Sequence, residues 1–406
     1  MLTEQQQEIH DTLLMLLASV RPRVLTVGGF AGTGKTYLLS QFRKTFFEAY
    51  PRKAIAFCTF TGKASTVLKN KLIEANAIYD QDYVGTIHSL IYRPLVRTDP
   101  QLGIKVIVGW ERIQKDEFYH DLIIIDEASM ISHNIFIDLK SYDVPILAVG
   151  DHAQLPPVNG SFNLMEDPQF KLTEILRQAK DSPIIQLSEF IRKHSYIPKN
   201  RFLSKEVITA SWKRDDCKDF FMNRVNFEDP ELITLCAFNK TRSHLNKIIR
   251  NKLGYKQIQP YPGERLICLC NNRQIGIMNG QLCTVVFVMP EDKNLYRLTV
   301  QLDGTNDYIE CLSPKENFGR IQYNFHEQNK KQVEQKYYAN DSGMSLVHFD
   351  YGYCTSVHKS QGSEWTKVIL FEQFTRYWDK DDFTRWLYTA VTRAKEKLFV
   401  ISSYYG

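Results

Sequence analysis

Four short apolar runs set the frame of the first 150 positions. Val24-Leu-Thr-Val27, Ala54-Ile-Ala-Phe-Cys58, Leu122-Ile-Ile-Ile125 and Val144-Pro-Ile-Leu-Ala-Val149 show no regular polar alternation, the pattern of strands buried on both faces of a sheet. Helical periodicity fills the gaps. Residues 2–20 line Ile9, Leu13, Leu16, Leu17 and Val20 on one face, with Thr3 as N-cap, Gln6 completing a capping box, and Arg21-Pro22-Arg23 as the stop. Tyr37–Tyr50 keeps Leu38, Phe42, Thr45, Phe46 and Ala49 at helical spacing, and a third helix follows Thr59-Phe-Thr-Gly-Lys63 as far as Leu72. Strands alternating with helices predict a parallel, doubly wound α/β sheet with its site at the strand C-termini. Residues 92–118 depart from this pattern: Arg93-Pro94 and Asp99-Pro100 are turn signals, and Ile104–Val108 reads as one arm of a hairpin.

A second block starts near residue 181. Leu232–Phe238 is another buried strand and Ser243–Leu253 a helix. Short strands at Arg265–Cys270, Gln281–Val288, Tyr296–Leu302 and Tyr308–Leu312, with Asn279-Gly280 and Asp303-Gly304 as hairpin turns, predict a small antiparallel barrel inserted there. A polar, helix-prone segment, Lys315–Ala339, follows. Strand–helix alternation then returns over Phe349–Thr355, Val368–Phe371, Trp386–Thr392 and a last strand, Lys397–Ser402. Two α/β blocks, each interrupted once, are the coarse organisation.

Composition changes this picture little. The 406 residues suffice for two or three domains, and 43% hydrophobic with 24% charged residues is ordinary for a globular chain. A net charge of +5 permits a polyanionic partner without demonstrating one. Aromatic residues reach 12%; rings on a basic protein can stack on unpaired bases, although for the average ring a place in the core is the better reading. Among eight cysteines only Cys268 and Cys270 lie close together, without the second pair a zinc site needs, so free thiols are expected. Acidic residues precede the apolar Leu13–Val20 stretch where a signal peptide carries positive charge, and no run is of membrane length. An intracellular, soluble protein is expected.

The chemistry concentrates at strand ends. Gly29-Phe-Ala-Gly32-Thr33-Gly34-Lys35-Thr36 is a G-x-x-x-x-G-K-T phosphate loop set between a strand and a helix. Its backbone N–H groups would face a phosphate, Lys35 would reach the β- and γ-phosphates, and Thr36 would hold Mg²⁺. Asp126, at the end of a buried strand, is placed to hold Mg²⁺ through water, and Glu127 to orient and deprotonate the attacking water. Gln154, in Gly150-Asp151-His-Ala-Gln154-Leu-Pro-Pro157, could report on the γ-phosphate. Arg177 and Arg393 are cations in apolar surroundings that a transferring phosphoryl group would pair, although each taken singly is more often a salt bridge. Together these residues predict binding and hydrolysis of a nucleoside triphosphate.

The ordered set Gln6, Gly29–Thr36, Thr59–Ala64, Gly85–Ser89, Asp126–Ser129, Gly150–Pro157, Leu176–Gln178, Val357–Glu364 and Tyr388–Lys395 resembles the motifs of superfamily 1 DNA helicases from end to end. Asp-Glu-Ala-Ser, Gly-Asp-x-x-Gln-Leu-Pro-Pro-Val and Val-His-Lys-Ser-Gln-Gly-Ser-Glu are similar to the RecD and Dda branch, which translocates 5′→3′. The resemblance implies two RecA-like parallel-sheet domains, the first over 1–91 and 119–180 and the second over 181–258 and 345–406. It implies a β-hairpin pin at 92–118, with Pro94, Leu102 or Trp110 as wedge, and a small SH3-like barrel with a helical segment at 259–344. ATP and Mg²⁺ are the implied ligands. Gln6 would contact adenine; Gly32, Thr33, Gly34, Lys35 and Thr36 the phosphates; Thr36 and Asp126 the metal. Glu127 would be the base, Gln154 the sensor, and Arg177 and Arg393 the γ-phosphate cations, with Gly362 and Glu364 facing the nucleotide from the second domain.

For DNA the resemblance implies Thr61, Lys63, Thr86, His88, Thr355, His358 and Lys359, residue types suited to phosphate oxygens; an ordinary capping role weighs equally for Thr86. Cys58-Thr-Phe-Thr61 departs from the branch's Ala-Pro-Thr, which loosens assignments there by a residue or two. The expected partners are single-stranded DNA and its junctions with duplex, with a single-strand-binding protein or replisome component as a candidate and no membrane. A monomer without the accessory domains of larger relatives is expected, in the cytoplasm of a bacterial or phage-infected cell, serving replication, recombination or repair. An RNA helicase or ribonucleoprotein remodeller is the alternative. A clamp using ATP as a structural ligand is disfavoured by the full hydrolytic set.

Overall fold

A computed structural model describes residues 2–17, 24–98, 105–156, 162–198, 204–269, 272, 275, 277, 279–304, 307–319 and 344–402; the side chains of Lys63, residues 105–108, Arg177 and Gln178 lie outside that description. Helix α1 (Glu4–Leu17) leads into β1 (Val24–Gly29), then α2 (Lys35–Ala49), β2 (Ile55–Thr59), α3 (Gly62–Glu74), β3 (Tyr83–Thr86) and the short α4 (Ile87–Ile91). Strands β4 (Tyr92–Thr98) and β5 (Lys105–Arg112) form an antiparallel hairpin before β6 (Leu122–Ile125), β7 (Ile146–Gly150) and β8 (Phe170–Leu172). The first sheet has the order β3-β2-β6-β7-β1-β8, every pair parallel.

Its apolar runs are continuous because alternate residues feed two cores. Leu25, Val27, Ile55, Phe57, Leu122, Ile124, Leu147 and Val149 pack beneath α1, α2 and α3. Ala56, Cys58, Ile123, Ile125, Ile146 and Ala148 pack on the other face against Ile87, Leu90, Ile91 and Leu139. With side chains alternating along each strand, both faces of these runs are apolar apart from Thr26, whose hydroxyl accepts the Gln169 N–H at 2.9 Å. One charged pair is sealed in beside them: Arg43 of α2 donates to both oxygens of Asp82 at 2.8 and 2.9 Å, and neither side chain reaches solvent.

The second block contains α5 (Pro183–His194), β9 (Val207–Ser211), β10 (Leu232–Cys236) and α6 (Asn239–Lys252). Strands β11 (Arg265–Cys268), β12 (Leu282–Pro290), β13 (Leu295–Leu302) and β14 (Tyr308–Pro314) follow, then β15 (Phe349–Tyr351), β16 (Cys354–Ser356), β17 (Trp365–Glu372), α7 (Lys380–Val391) and β18 (Ala394–Ser402). The second parallel sheet runs β16-β10-β17-β18-β9. Val368, Leu370, Leu398 and Val400 face Ile184, Leu187 and Ile191 of α5 and Trp386 and Leu387 of α7.

Three differences from the sequence reading have physical causes. Phe349–Thr355 is not one strand: β15 joins the antiparallel ladder against β11, β16 joins the parallel sheet against β10, and the chain changes sheet at Gly352. A Cβ there would lie 2.8 Å from the Leu266 carbonyl group, so only glycine fits the crossing. Trp386–Thr392 lies mostly within α7, its apolar residues at helical rather than alternating spacing. The two insertions are also not separate. Tyr308 and Ile309 of β14 pair in parallel with Val106 and Ile107 of β5, giving one seven-stranded sheet, β15-β11-β12-β13-β14-β5-β4. Arg97 of β4 reaches Glu310 of β14 at 2.5 Å across that seam. Leu102 and most of Lys315–Ala339 lie outside the described residues. Among the described residues no helix is long and apolar enough to cross a membrane.

Candidate nucleotide site and strand-contact residues

The loop between β1 and α2 is shaped by two glycines in the left-handed region, Gly32 at φ 80° and Gly34 at φ 76°. At Gly34 a Cβ would meet Leu176 Cδ1 at 2.6 Å and Gln6 Nε2 at 2.8 Å. The turn is braced from within: Thr33 Oγ1 donates to the Phe30 carbonyl at 2.8 Å, and Lys35 Nζ donates to the Gly29 and Phe30 carbonyls at 2.9 and 3.2 Å. Lys35 therefore lies folded over the loop its ammonium is expected to serve. Gln6 completes the capping box with Thr3, its Oε1 accepting from Thr3 N–H at 3.1 Å, while its Nε2 donates to the Thr33 carbonyl at 2.9 Å. One buried amide thus ties α1 to the phosphate loop.

A cavity of about 500 Å³ opens over this loop. Lys35, Thr36, Asp126, Glu127 and Gln154 line it from the first block, and Gly362, Glu364, Arg393 and Lys395 from the second. Asp126 Oδ1 accepts the Glu127 N–H at 3.0 Å, and burial raises the Asp126 carboxyl above the usual range against the pull of Lys35 and Lys71. Glu127 stands at φ 56°, a left-handed conformation costly for a side chain with a Cβ. Burial lifts its carboxyl to about 7, with Arg393 opposing, and its Oε2 is enclosed without a hydrogen-bond partner. Gln154 is 5% exposed and its Oε1 is likewise enclosed and unpartnered. Both residues line the cavity, and each keeps one enclosed acceptor that no protein group satisfies, which marks the site as built for more than packing.

Arg393 is 1% exposed. Its Nε donates to the Thr389 carbonyl and its Nη1 to the Ser363 carbonyl, both at 3.0 Å. Held by neutral carbonyls, the guanidinium keeps its charge available to the cavity. Gly362, at φ 68°, lies so close to Met130 that a Cβ would sit 2.2 Å from the sulfur. Glu364 is 4.0 Å from Lys395. Arg177 begins a short helix directly after Leu176, whose N–H donates to the Gly32 carbonyl at 2.9 Å; its own side chain lies outside the described set.

Thr36 and Asp126 suit a hexacoordinate hard cation that takes most of its ligands from phosphate and water. Among the described residues no group of three or more His, Cys, Asp and Glu is arranged to hold a metal by itself.

The residues expected to touch a nucleic acid strand divide. Thr61 Oγ1 caps α3 through the Ala64 N–H at 3.2 Å and donates to the Gly362 carbonyl at 2.9 Å, so it joins the two blocks. Thr86 caps α4, accepting from the Ser89 N–H at 3.1 Å. His88 packs between Tyr92 and Trp110, at 4.5 Å from each, which ties α4 to the base of the hairpin. Thr355 is 1% exposed in β16, its hydroxyl enclosed without a partner. His358 and Lys359 are half-buried in the turn that follows, and burial lowers the His358 imidazole. Lys63 begins α3 with its side chain outside the described set. Sequence reasoning placed Tyr388 at the start of the Tyr388–Lys395 motif but gave it no role, whereas its hydroxyl meets both the phosphate loop and Asp151.

Residues 15–160 match an AAA domain family, and residues 351–401 match the UvrD-like helicase C-terminal domain. An ATP-dependent RecD2 DNA helicase of Deinococcus radiodurans is 26% identical over 99% of this chain and 49% of its own length. An ATP-dependent DNA helicase Pif1 of Campylobacter jejuni is 22% identical over 84% of this chain and 81% of its own. The chain spans from 34% to 49% of the length of the first curated relatives it matches. A crystal structure of a Bacteroides Pif1 helicase with ADP-AlF3 and ssDNA shares the fold at TM-score 0.50 and 20% identity, covering 99% of this chain and 92% of that one. The family matches and these relatives support a superfamily 1 helicase of the RecD and Pif1 type, an ATP-dependent class of enzyme.

Proposed function

We propose that this chain of the RecD and Pif1 type is a DNA-stimulated ATPase that steps 5′→3′ along single-stranded DNA and separates duplex. The observation that carries the reading is one cavity, walled by both blocks, that brings together Lys35, Thr36, Asp126, Glu127, Gln154 and Arg393. A site built only to hold a nucleotide has no use for a carboxylate kept near neutrality in a strained backbone.

In this reading the N–H groups of Gly32–Thr36 and the Lys35 ammonium bind the phosphates, with the remaining N–H of Gln6 directed to adenine. Thr36 and Asp126 would hold Mg²⁺ brought by the nucleotide, which would neutralise phosphate charge. Glu127 takes the proton of the attacking water. Gln154 orients that water against the γ-phosphate, and Arg393 with Arg177 meets the charge that develops there. Gly362 and Glu364 close the cavity from the second block. Closure and release of the two blocks would move a strand lying over Thr61, Lys63, Thr86, His88, Thr355, His358 and Lys359. We read the blocks as RecA-like domains at 1–91 with 119–180 and at 181–258 with 345–406, the β4–β5 hairpin as the separating pin, and the antiparallel sheet as an SH3-like insertion. The names of the relatives speak of DNA, and no observation favours RNA.

The test compares duplexes carrying a 5′ tail with those carrying a 3′ tail, for the wild-type protein and Lys35→Ala. Wild type should open the 5′-tailed substrate, and the variant should lose hydrolysis and opening while still binding the strand. Opening by Lys35→Ala would sink the proposal, and preference for the 3′ tail would overturn its direction.

A further inference from the structure

Helix α7 ends two residues before Arg393, and its last turns also reach the loops around the cavity. The Tyr388 hydroxyl, fully buried, donates to Asp151 Oδ2 at 2.5 Å and accepts the Ala31 N–H of the phosphate loop at 2.8 Å. The next residue, Thr389, accepts the Leu155 N–H at Oγ1 over 2.9 Å, and the Gln361 amide donates to the Leu155 carbonyl. Asp151 Oδ1 in turn accepts the Ala153 N–H at 2.9 Å. The backbone on either side of Gln154 is therefore fixed by side chains of the second block or by a carboxylate that Tyr388 holds. Beside this bridge Phe30 lies 4.6 Å from the His152 ring and 3.6 Å from the Arg192 guanidinium, which is also 5.9 Å from the Tyr388 ring.

We infer that Tyr388 is a positioning residue for hydrolysis: its hydroxyl sets the Asp151–Leu155 loop, and with it the Gln154 amide, from the second block. The inference rests on the reading that this cavity hydrolyses ATP. A hydroxyl has one proton to give, and Tyr388 gives it to Asp151 while a lone pair receives Ala31. Hydrogen bonds of 2.5 and 2.8 Å weaken steeply within about 1 Å of displacement. Any separation of the blocks on that scale therefore releases the phosphate loop and the sensor loop together. Correct placement of Gln154 then depends on the closed arrangement, which ties hydrolysis to the relative position of the blocks.

The test is steady-state ATP hydrolysis with saturating single-stranded DNA. Tyr388→Phe keeps the buried ring and removes only the bridge; kcat should fall about 10- to 100-fold, the scale of a misplaced group, with KM for ATP within about threefold. In a Gln154→Ala background the same change should cost less than about threefold, because a group that acts through another adds nothing once that other is gone. Thr389→Val removes a second tether of the same loop and should repeat both results, which keeps the test open if Tyr388→Phe folds poorly. Full kcat in both single variants, or an equal multiplicative loss in both backgrounds, overturns the inference. A wild-type protein without DNA-stimulated hydrolysis refutes the underlying reading and the inference with it, whereas an active wild type beside fully active variants refutes the inference alone.

Discussion

Glu127 makes the first block less stable than a neutral side chain would, and the size of that cost follows from its surroundings. Burial raises its carboxyl from an ordinary 4.5 to about 7. In the unfolded chain the group ionises at its ordinary value, so from pH 4.5 upward the folded state binds the extra proton and loses stability as pH rises, levelling off above pH 7. At 1.36 kcal/mol per pH unit the ceiling is about 3 kcal/mol. The residue as a whole is only half-buried, so we discount this to about 1–2 kcal/mol. Glu127→Gln keeps the left-handed backbone and the shape of the side chain, and so isolates the charge. The variant should be inactive yet melt about 3–6 °C above wild type at pH 8. That advantage should shrink as pH falls through 7 and vanish near 4.5. Differential scanning calorimetry of both proteins from pH 5 to 8 reads this directly. A variant equal to or less stable than wild type at pH 8, or an advantage that grows toward acid, refutes the reasoning.

Two further outcomes test the scaffold around the site. Asp82→Asn should cost about 3–5 kcal/mol, read as a lowered urea midpoint, because it leaves the fully buried Arg43 without its counter-charge; an unchanged midpoint would show that the pair is dispensable. Gly34→Ala forces φ 76° on a residue with a Cβ and drives that carbon into Leu176 and Gln6. Nucleotide affinity should fall more than about tenfold by titration calorimetry, and unchanged affinity would mean that the loop relaxes at little cost.

The parts of the molecule legible from sequence are those where one physical demand dominates. Val24–Val27, Ile55–Cys58, Leu122–Ile125 and Ile146–Val149 serve two cores at once, so their apolar character is continuous and unmistakable. Phosphate chemistry fixes the glycines, Lys35 and Thr36 by type and spacing. Strands β3, β8 and β9 are illegible because each lies at a sheet edge, and β8 has only three residues, one of them a lysine. The break between β15 and β16 falls inside one strand-like run, Phe349–Thr355, marked by Gly352 and the buried Asp350. Pairing of β14 with β5 joins positions some 200 residues apart through two residue pairs, and no local pattern encodes that. Tyr388 is hidden for a related reason: a buried tyrosine at helical spacing satisfies every rule for a core residue, and its hydroxyl matters only once the partners are in place.

The change of sheet at Gly352 has a mechanical consequence. Tyr351 is laddered to Leu266 in the antiparallel sheet and Cys354 to Thr234 in the parallel one, which leaves only Gly352 and Tyr353 between them. That is at most about 7 Å of extended chain, with its glycine wedged against Leu266, too little slack for a swivel. At the far edge of the same sheet, β5 and β4 return the chain to the first block. The short crossing therefore holds the antiparallel ladder at Tyr351 close to β16 and to the turn after it, which carries His358 and Lys359.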